Sequence, residues 1–179
     1  MKSRILLKII FIIIILLFIL LANFRFYVFN LKFYENEFTK LDVYEKIPKE
    51  IALENTKELL NFLKNEKELK TEFFNEKEKM HLQDVRGLIR NVIILFYVIL
   101  GALIFLLYLN RNNLHKLFII AGTILIFIVL VSSFINFEMV FILFHKMTFA
   151  NNLWLLNPET DNLINLFPLK FFQDFITKI

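Results

Sequence analysis

Three long apolar runs in this sequence restrict the folds that are open to it. Residues 5–22 are apolar except for Lys8, and residues 92–109 and 117–137 carry no charged side chain. A helix of about 20 apolar residues crosses the hydrocarbon core of a bilayer, and a lysine near its end can extend its ammonium group to the interface. The sequence therefore predicts an all-α, polytopic membrane helix bundle with three spans.

Composition agrees with a membrane protein and excludes several kinds of site. The length of 179 residues suggests one domain, and the hydrophobic content of 58% is too high for an ordinary soluble domain. The absence of cysteine excludes disulfide bonds, a thiolate nucleophile and thiolate metal ligands. The basic start resembles that of a signal peptide, but no small-x-small cleavage pattern leads up to Ala22. We therefore expect an uncleaved anchor.

The distribution of basic residues predicts the orientation of the chain. The first span starts with Lys2, Arg4 and Lys8, and the second and third spans are joined by a connection that contains Arg111 and Lys116. Short basic segments stay on the cytoplasmic side of a membrane. We therefore expect the N-terminus and the connection 110–116 on the cytoplasmic side, and residues 24–88 and 138–179 outside.

The outer segment 24–88 predicts a small helical cap. Its first part, 23–38, is aromatic and partly amphipathic, suited to lying on the membrane or packing under the cap. Within 47–74, apolar residues recur at roughly helical spacing, and Pro48 suits a first helical turn. Because acidic and basic residues nearly balance, the charges indicate a solvated face, and we expect no nucleic-acid binding. Residues 163–179 are too short and too charged for a fourth span.

Residues 141–172 interleave apolar and polar side chains after the third run. The stretch contains the only tryptophan, Trp154, and two prolines, Pro158 and Pro168, which prevent a single helix from running through it. Tryptophan prefers the membrane–water boundary, and we interpret both Trp154 and Tyr34 as interfacial anchors. We predict that this stretch forms the wall of a site at the outer membrane face.

Two histidines fall at the same predicted membrane face. His81 precedes the second span and His145 follows the third, so adjacent antiparallel helices would bring them together. Two imidazoles can exchange protons with a substrate near neutral pH, one as base and the other as acid or electrostatic partner. The alternative is that each is a hydrogen-bonded structural residue. His115, in the inner connection, has no apparent partner, and we assign it no role.

The charged residues beside His81 each have two interpretations. Asp84, three residues later, can orient the histidine ring or can cap the start of the span. Arg86 and Arg90, one turn apart, can bind a carboxylate, a phosphate headgroup or a developing oxyanion, or can anchor the helix to lipid headgroups.

A metal site is a further alternative for the two histidines. His81 and His145 with Asp84 or Asp161 would provide enough ligands for zinc. No HExxH or similar spacing supports such a site, and we predict none.

Three segments of the sequence resemble a known family. These segments, FHKMTFANNLWLLNPETDNLINLFPLKFF, MHLQDVRGL and NLKFYENEF, are similar to the lipoprotein intramolecular transacylase (Lit) family of bacterial membrane proteins. The similarity covers nearly the whole chain in order. It implies an all-helical bundle of four spans with an extracytoplasmic cap, of which we expect this chain to lack the fourth span.

The resemblance also implies an activity and a site. Members move the sn-2 acyl chain of a diacylglyceryl-modified lipoprotein to the α-amine of its N-terminal cysteine, at the outer face of the bacterial cytoplasmic membrane, which gives a lyso-form lipoprotein. Two facing histidines, matching His81 and His145, carry the reaction, and we expect no cofactor. Which of them is the base stays open. The residues expected to bind substrate or support this pair are Tyr34, Asp84, Arg86, Trp154 and Asp161.

These implications define the expected partners and leave an alternative. The partners are the lipoprotein substrate and membrane lipids, and the sequence does not indicate the oligomeric state. The alternative function is that of a non-catalytic membrane protein that binds lipid or peptide through its cap.

Overall fold

The computed structural model describes residues 2–64, 68–110 and 114–178, and every regular element in these ranges is helical. The helices are α1 (Lys2–Val28), α2 (Leu31–Lys40), α3 (Lys49–Leu63), α4 (Glu76–Asn110), α5 (Leu114–Ser132), α6 (Phe137–Thr148), α7 (Asn162–Leu166) and α8 (Leu169–Lys178). A short 3-10 helix, Val43–Glu45, lies between α2 and α3. The prediction of an all-α fold is confirmed.

Three helices in the described ranges are long and apolar enough to cross a membrane: Ile5–Val28 within α1, Glu76–Asn110 and Leu114–Ser132. At a rise of about 1.5 Å per residue, the 19 residues of α5 extend roughly 28 Å, close to the thickness of a hydrocarbon core. The 35 residues of α4 extend roughly 52 Å, well beyond that thickness. Its charged first part, residues 76–91, is therefore the part that lies outside the hydrocarbon.

The chain divides into two compact units. The membrane unit comprises residues up to 25 and 92–136, and the cap unit comprises residues 26–91 and 137–178. Helices α1 and α4 each contribute to both units. Arg111, on which the predicted orientation partly depends, lies outside the described residues.

A small apolar core joins α1, α4 and α5 in the membrane unit. Its buried members are Phe11, Ile15, Leu103, Leu106, Leu117 and Ala121. The Phe11 and Phe118 rings meet edge to face, with centroids 5.8 Å apart. The guanidinium carbon of Arg25 lies 5.6 Å from the centroid of the Phe96 ring, and Arg25 donates a hydrogen bond of 3.3 Å to the Tyr97 hydroxyl. Ring contacts and this one arginine supplement the aliphatic packing.

Aromatic packing between α2 and the C-terminal helices forms the core of the cap unit. The rings in contact are Phe33, Tyr34, Phe38, Phe167, Phe171 and Phe175. Asp174 of α8 accepts hydrogen bonds from the ammonium groups of Lys40, at 2.7 Å, and Lys170, at 3.0 Å. Of the two placements predicted for residues 23–38, the structure therefore shows α2 packed within the cap.

The cap helix α3 is shorter than the apolar spacing predicted. It covers Lys49–Leu63, directly after Pro48, and residues 68–75 are not helical. The Glu58 carboxylate accepts hydrogen bonds from the backbone amides of Lys70, at 2.7 Å, and Thr71, at 2.9 Å. These bonds hold the returning chain against α3. The helix therefore ends before the apolar spacing of 47–74 does.

A capping box fixes the start of α4. The Asn75 side-chain oxygen accepts from the backbone amide of Glu78 at 3.0 Å, and the Glu78 carboxylate accepts from the backbone amide of Asn75 at 2.7 Å. The other carboxylate oxygen of Glu78 accepts from the backbone amide of Leu163 in α7. The first turns of α4, which carry His81, are therefore held to α7.

Candidate active site

Helices α4 and α6 bring two histidines of the cap unit together. His81 lies in the second turn of α4, and His145 lies in the last turn of α6. Their ring centroids are 6.2 Å apart and their planes are inclined at 35°. His81 is only 6% exposed, and His145 is half-buried. The structure thus has the juxtaposition that the sequence predicted, while the catalytic roles stay a prediction.

Aromatic rings surround both imidazoles. The ring centroid of His145 lies 4.1 Å from that of Phe141 and 5.1 Å from that of Trp154. The Phe149 ring contacts both histidines, with centroids 5.1 Å from His81 and 5.6 Å from His145. Such surroundings offer few hydrogen bonds to a charged imidazole and disfavour it.

Hydrogen bonding determines which nitrogen of His145 carries a proton. Its Nδ1 lies 2.8 Å from the carbonyl oxygen of Phe141. A carbonyl oxygen can only accept, so Nδ1 bears the hydrogen and Nε2 of the neutral ring holds a lone pair. In His81, by contrast, Nδ1 is buried and has no hydrogen-bond partner among the described residues.

The surroundings of His145 also favour its neutral form. Burial lowers the pKa of His145 below its ordinary value of 6.5, and the hydrogen bond to the Phe141 carbonyl opposes this effect only in part. The ring is therefore neutral at pH 7 and able to accept a proton.

Asp84 forms a hydrogen bond with the loop that follows α6. Its carboxylate accepts from the side-chain amide of Asn151 at 2.9 Å. Asn151 lies in the segment 149–155, which also contains Phe149 and Trp154. Asp84 therefore connects α4 to the segment that covers the histidines, a role that neither interpretation from the sequence anticipated.

Arg86 lies on a different face of α4 from His81. Five residues along a helix correspond to a rotation of about 140°. The guanidinium carbon lies 4.4 Å from the centroid of the Phe62 ring, in a cation–π arrangement. Together with Lys79 and Gln83, Arg86 borders a cavity of about 320 Å³ on that face. The structure therefore does not bring Arg86 together with the two histidines.

Tyr34 is a core residue of the cap unit rather than the interfacial anchor that we expected. Its hydroxyl donates a hydrogen bond of 2.8 Å to the carbonyl of Val28, and its ring packs against Phe38 and Phe171. Burial raises the pKa of the Tyr34 phenol well above its ordinary value of 10.0. The hydroxyl is therefore a permanent donor that joins the end of α1 to α2.

Asp161 organises the turn that precedes α7. Its carboxylate accepts hydrogen bonds from the backbone amide of Asn157, at 2.8 Å, and from the side-chain amide of Asn75, at 2.9 Å. The Asn157 bond, then those from Asn75 and Thr160 and the Lys77 charge, lower the pKa of Asp161 despite partial desolvation. Asp161 therefore holds the turn against the start of α4.

The described residues contain no group of three or more His, Cys, Asp or Glu side chains arranged to hold a metal ion. Asp84 and Asp161, the carboxylates considered for zinc, form the hydrogen bonds to Asn151, Asn157 and Asn75 described above.

No role was predicted from the sequence for Phe141, Phe149 or Asn151. A signal for the two phenylalanines is present in the sequence, because residues four apart lie on one face of a helix and Phe141, His145 and Phe149 follow that spacing. No local pattern connects Asn151 to Asp84, because they are 67 residues apart in the chain.

Comparisons with known proteins agree with this architecture. The sequence model of the family described as lipoprotein intramolecular transacylase Lit matches residues 9–172. The crystal structure of the lipoprotein intramolecular transacylase Lit from Bacillus cereus is similar to this chain with a TM-score of 0.81 and 22% identity, over 98% of this chain and 90% of that one. A comparison with curated proteins finds no match.

Two further structures of the Bacillus cereus protein, each with one histidine substituted, match with TM-scores of 0.78 and 22% identity. They cover 98% of this chain and 86% and 88% of theirs. At 22% identity, the similarity to these structures shows that the fold is shared. The family itself is shown by the sequence model, which matches residues 9–172. The chain therefore belongs to the lipoprotein intramolecular transacylase (Lit) family of integral membrane proteins, as its sequence motifs predicted.

Proposed function

We propose that His81 and His145 catalyse transfer of the sn-2 acyl chain of a diacylglyceryl-modified lipoprotein to the α-amine of its N-terminal cysteine. Membership of the Lit family supports the class of reaction, acyl transfer within a lipoprotein. The observation that carries the assignment of residues is the pair of imidazoles with centroids 6.2 Å apart in an aromatic enclosure. The product is a lyso-form lipoprotein.

His145 is the general base of this reaction. Because Nδ1 donates to the Phe141 carbonyl, the lone pair on Nε2 is available to the substrate. The α-amine attacks the ester carbonyl, a C–N bond forms, and Nε2 takes the proton that the nitrogen loses. The C–O bond to the glyceryl sn-2 oxygen then breaks, and the imidazolium returns that proton to the departing oxygen.

His81 stabilises the negative charge that develops on the ester oxygen. Its buried Nδ1 has no hydrogen-bond partner among the described residues, so an N–H at that position is available to a substrate oxygen. A hydrogen-bond donor directed at a developing oxyanion in a water-poor site stabilises the transition state more than the ground state.

The enclosure favours transfer over hydrolysis. His81 is 6% exposed, and the Phe149 ring lies against both imidazoles, which limits the access of water. The amine and the ester belong to one molecule, so holding them in the reactive geometry supplies much of the acceleration.

The three histidines of the chain provide a matched mutational test. We expect His81→Ala and His145→Ala each to reduce acyl migration by about 100-fold or more, because general acid–base catalysis contributes factors of that size. His115→Ala, at the start of α5, is the control and should retain activity. The measurement is mass spectrometry of lipoprotein N-termini from cells without other N-acylation activity, and unchanged migration in the first two variants would reject the pair.

The reacting groups lie at the outer face of the cytoplasmic membrane in this proposal. The basic residues near the first span and before the third support that orientation. Because the chain has no cysteine, single cysteines can report it. We expect a membrane-impermeant maleimide to label Lys57→Cys in intact cells and to label His115→Cys only after permeabilisation. The reverse pattern would place the cap unit inside the cell.

A non-catalytic role in binding lipid or peptide is not favoured. The family match is to transacylases, and the two imidazoles lie close together in one aromatic enclosure, which supports a catalytic role.

A further inference from the structure

The segment 149–155, which we call the strap, lies against both imidazoles. At its start, the Phe149 ring contacts His81 and His145, and near its end the Trp154 ring lies at a centroid distance of 5.1 Å from His145. The strap is not helical. Contacts made by its side chains and carbonyls must therefore hold its rings in place.

Two contacts attach the strap to α4 on either side of His81. Three residues after His81, Asp84 accepts a hydrogen bond of 2.9 Å from the Asn151 side-chain amide. Four residues before His81, the Lys77 ammonium group donates a hydrogen bond to the carbonyl of Leu155. Since residues three and four apart lie on one face of a helix, the strap crosses the face of α4 that carries the histidine.

Asn151 uses both ends of its amide. The nitrogen donates to Asp84, and the oxygen accepts from the backbone amide of Leu153 at 3.0 Å, which stabilises the turn inside the strap. One side chain thus sets the local shape of the strap and its attachment to α4. The Asp84–Asn151 contact is exposed, whereas Lys77 also pairs with the buried carboxylate of Asp161.

We propose that Asp84 and Asn151 are positioning residues that hold the strap across the two imidazoles and thereby set the rate of acyl transfer. This inference rests on the proposed function of the histidines. Asp84 and Asn151 act through Phe149 and Trp154, which pack against the rings. Loss of the hydrogen bond lets these rings withdraw, so the imidazoles lose their alignment.

The single tryptophan makes the position of the strap measurable in the intact protein. Trp154 is half-buried. Acrylamide quenches its fluorescence more strongly when displacement of the strap exposes the ring. We expect Asp84→Ala and Asn151→Ala each to raise the quenching constant about twofold. In the same samples kcat for a diacylglyceryl lipopeptide should fall about tenfold, with KM changed less than twofold, because small displacements of catalytic groups act mainly on the rate.

Exchange of the two residues provides a test that a general loss of stability cannot pass. In the double variant Asp84→Asn/Asn151→Asp, the amide at 84 donates to the carboxylate at 151, whose second oxygen still accepts from Leu153. We expect kcat and quenching to return close to wild-type values. Asn152→Ala, at the neighbouring exposed asparagine, is the control and should change neither.

The outcomes separate this inference from the proposed function. Unchanged quenching and kcat in Asp84→Ala and Asn151→Ala would overturn the role of the strap, as would an exchanged variant that has wild-type helicity but stays slow. The quenching could follow the expected pattern although the wild-type protein has no transacylase activity. That result would reject the proposed function and, with it, the effect of the strap on the rate. A positive result requires the quenching and kcat to change together.

Discussion

The membrane unit and the cap unit of this protein bury their apolar side chains in different ways. Phe127 of α5 is 65% exposed, whereas Phe38 and Leu166 of the cap unit are 0% exposed. Lipid tails are as apolar as leucine, so a side chain in a spanning helix needs no protein neighbour to avoid water. In the cap unit, an apolar side chain leaves water only when it is buried within the protein.

The polar contacts of the two units differ as well. In the membrane unit, Arg25 contacts Phe96 and Tyr97, and the Asn110 amide donates to the Leu106 carbonyl of its own helix. In the cap unit, carboxylates connect elements that are distant in the sequence, as the bonds of Glu78, Asp161 and Asp174 show. The spans therefore depend on composition, whereas the site depends on a particular set of contacts.

Truncation of a phenylalanine in each unit is the strongest test of this difference. We expect Phe38→Ala to reduce the free energy of unfolding by about 3–5 kcal/mol, because it leaves a cavity among Tyr34, Phe167 and Phe171. The matched control, Phe127→Ala on the exposed face of α5, should change it by less than about 1 kcal/mol. The measurement is unfolding followed by circular dichroism in one detergent, and equal losses would contradict the comparison.

The Asp174 carboxylate should give the next largest effect, and only within the cap unit. Burial alone would raise the pKa of Asp174, but its hydrogen bonds from Lys40 and Lys170 outweigh this and lower it below 3.8. We expect Asp174→Asn to reduce the free energy of unfolding by about 1–2 kcal/mol at pH 7.

The pH dependence of this loss follows from the sign of the shift. Because the folded pKa of Asp174 is the lower one, its contribution is present above the unfolded pKa of about 3.9 and disappears as the pH falls through the folded value. The stabilities of wild type and Asp174→Asn, measured by thermal unfolding, should therefore converge in acid. A difference that stays constant down to acid pH would show that the carboxylate charge is not responsible.

The sequence predicted the membrane unit more completely than the cap unit, for a physical reason. Charge-free runs such as 92–109 identify a spanning helix from composition alone, because the bilayer supplies the surroundings. In the cap unit, α3 ends at Leu63 and Glu58 binds the segment that returns along it, and no pattern in the sequence indicates that contact. The two histidines were predicted from their depth, whereas the Asp84–Asn151 bond depends on tertiary structure.

Arg25 tests whether polar contacts contribute less in the membrane unit than in the cap unit. Its guanidinium lies over Phe96 and near Tyr97, at distances typical of cation–π contacts. We expect Arg25→Leu to reduce the free energy of unfolding by about 0.5–1 kcal/mol, because such contacts at exposed sites contribute that amount. Thermal unfolding beside Asp174→Asn provides the measurement, and a larger loss for Arg25→Leu would reverse the order of the two units.

The smallest expected signal concerns His145, the residue whose neutral form the cap unit favours. Trp154 is the only tryptophan, and its ring centroid is 5.1 Å from that of His145, so its fluorescence should decrease when the imidazole is protonated. Burial lowers the pKa of His145, so we expect a midpoint below 6.5 and no such transition in His145→Gln. A midpoint above 6.5 would show that the aromatic enclosure does not disfavour the charge.

The lowered pKa of His145 also affects the stability of the fold. The effect is opposite in sign to that of a histidine in an ion pair, whose folded pKa is raised. Between the lowered folded pKa and the unfolded value of 6.5, the unfolded chain binds more protons than the folded one. Stability should therefore be lost as the pH falls below 6.5, and His145→Gln should lose less than wild type over that interval. Only the neutral ring can serve as base, so activity should decrease in acid with the same midpoint as the Trp154 fluorescence. If the midpoints of activity and fluorescence clearly differ, His145 is not the base.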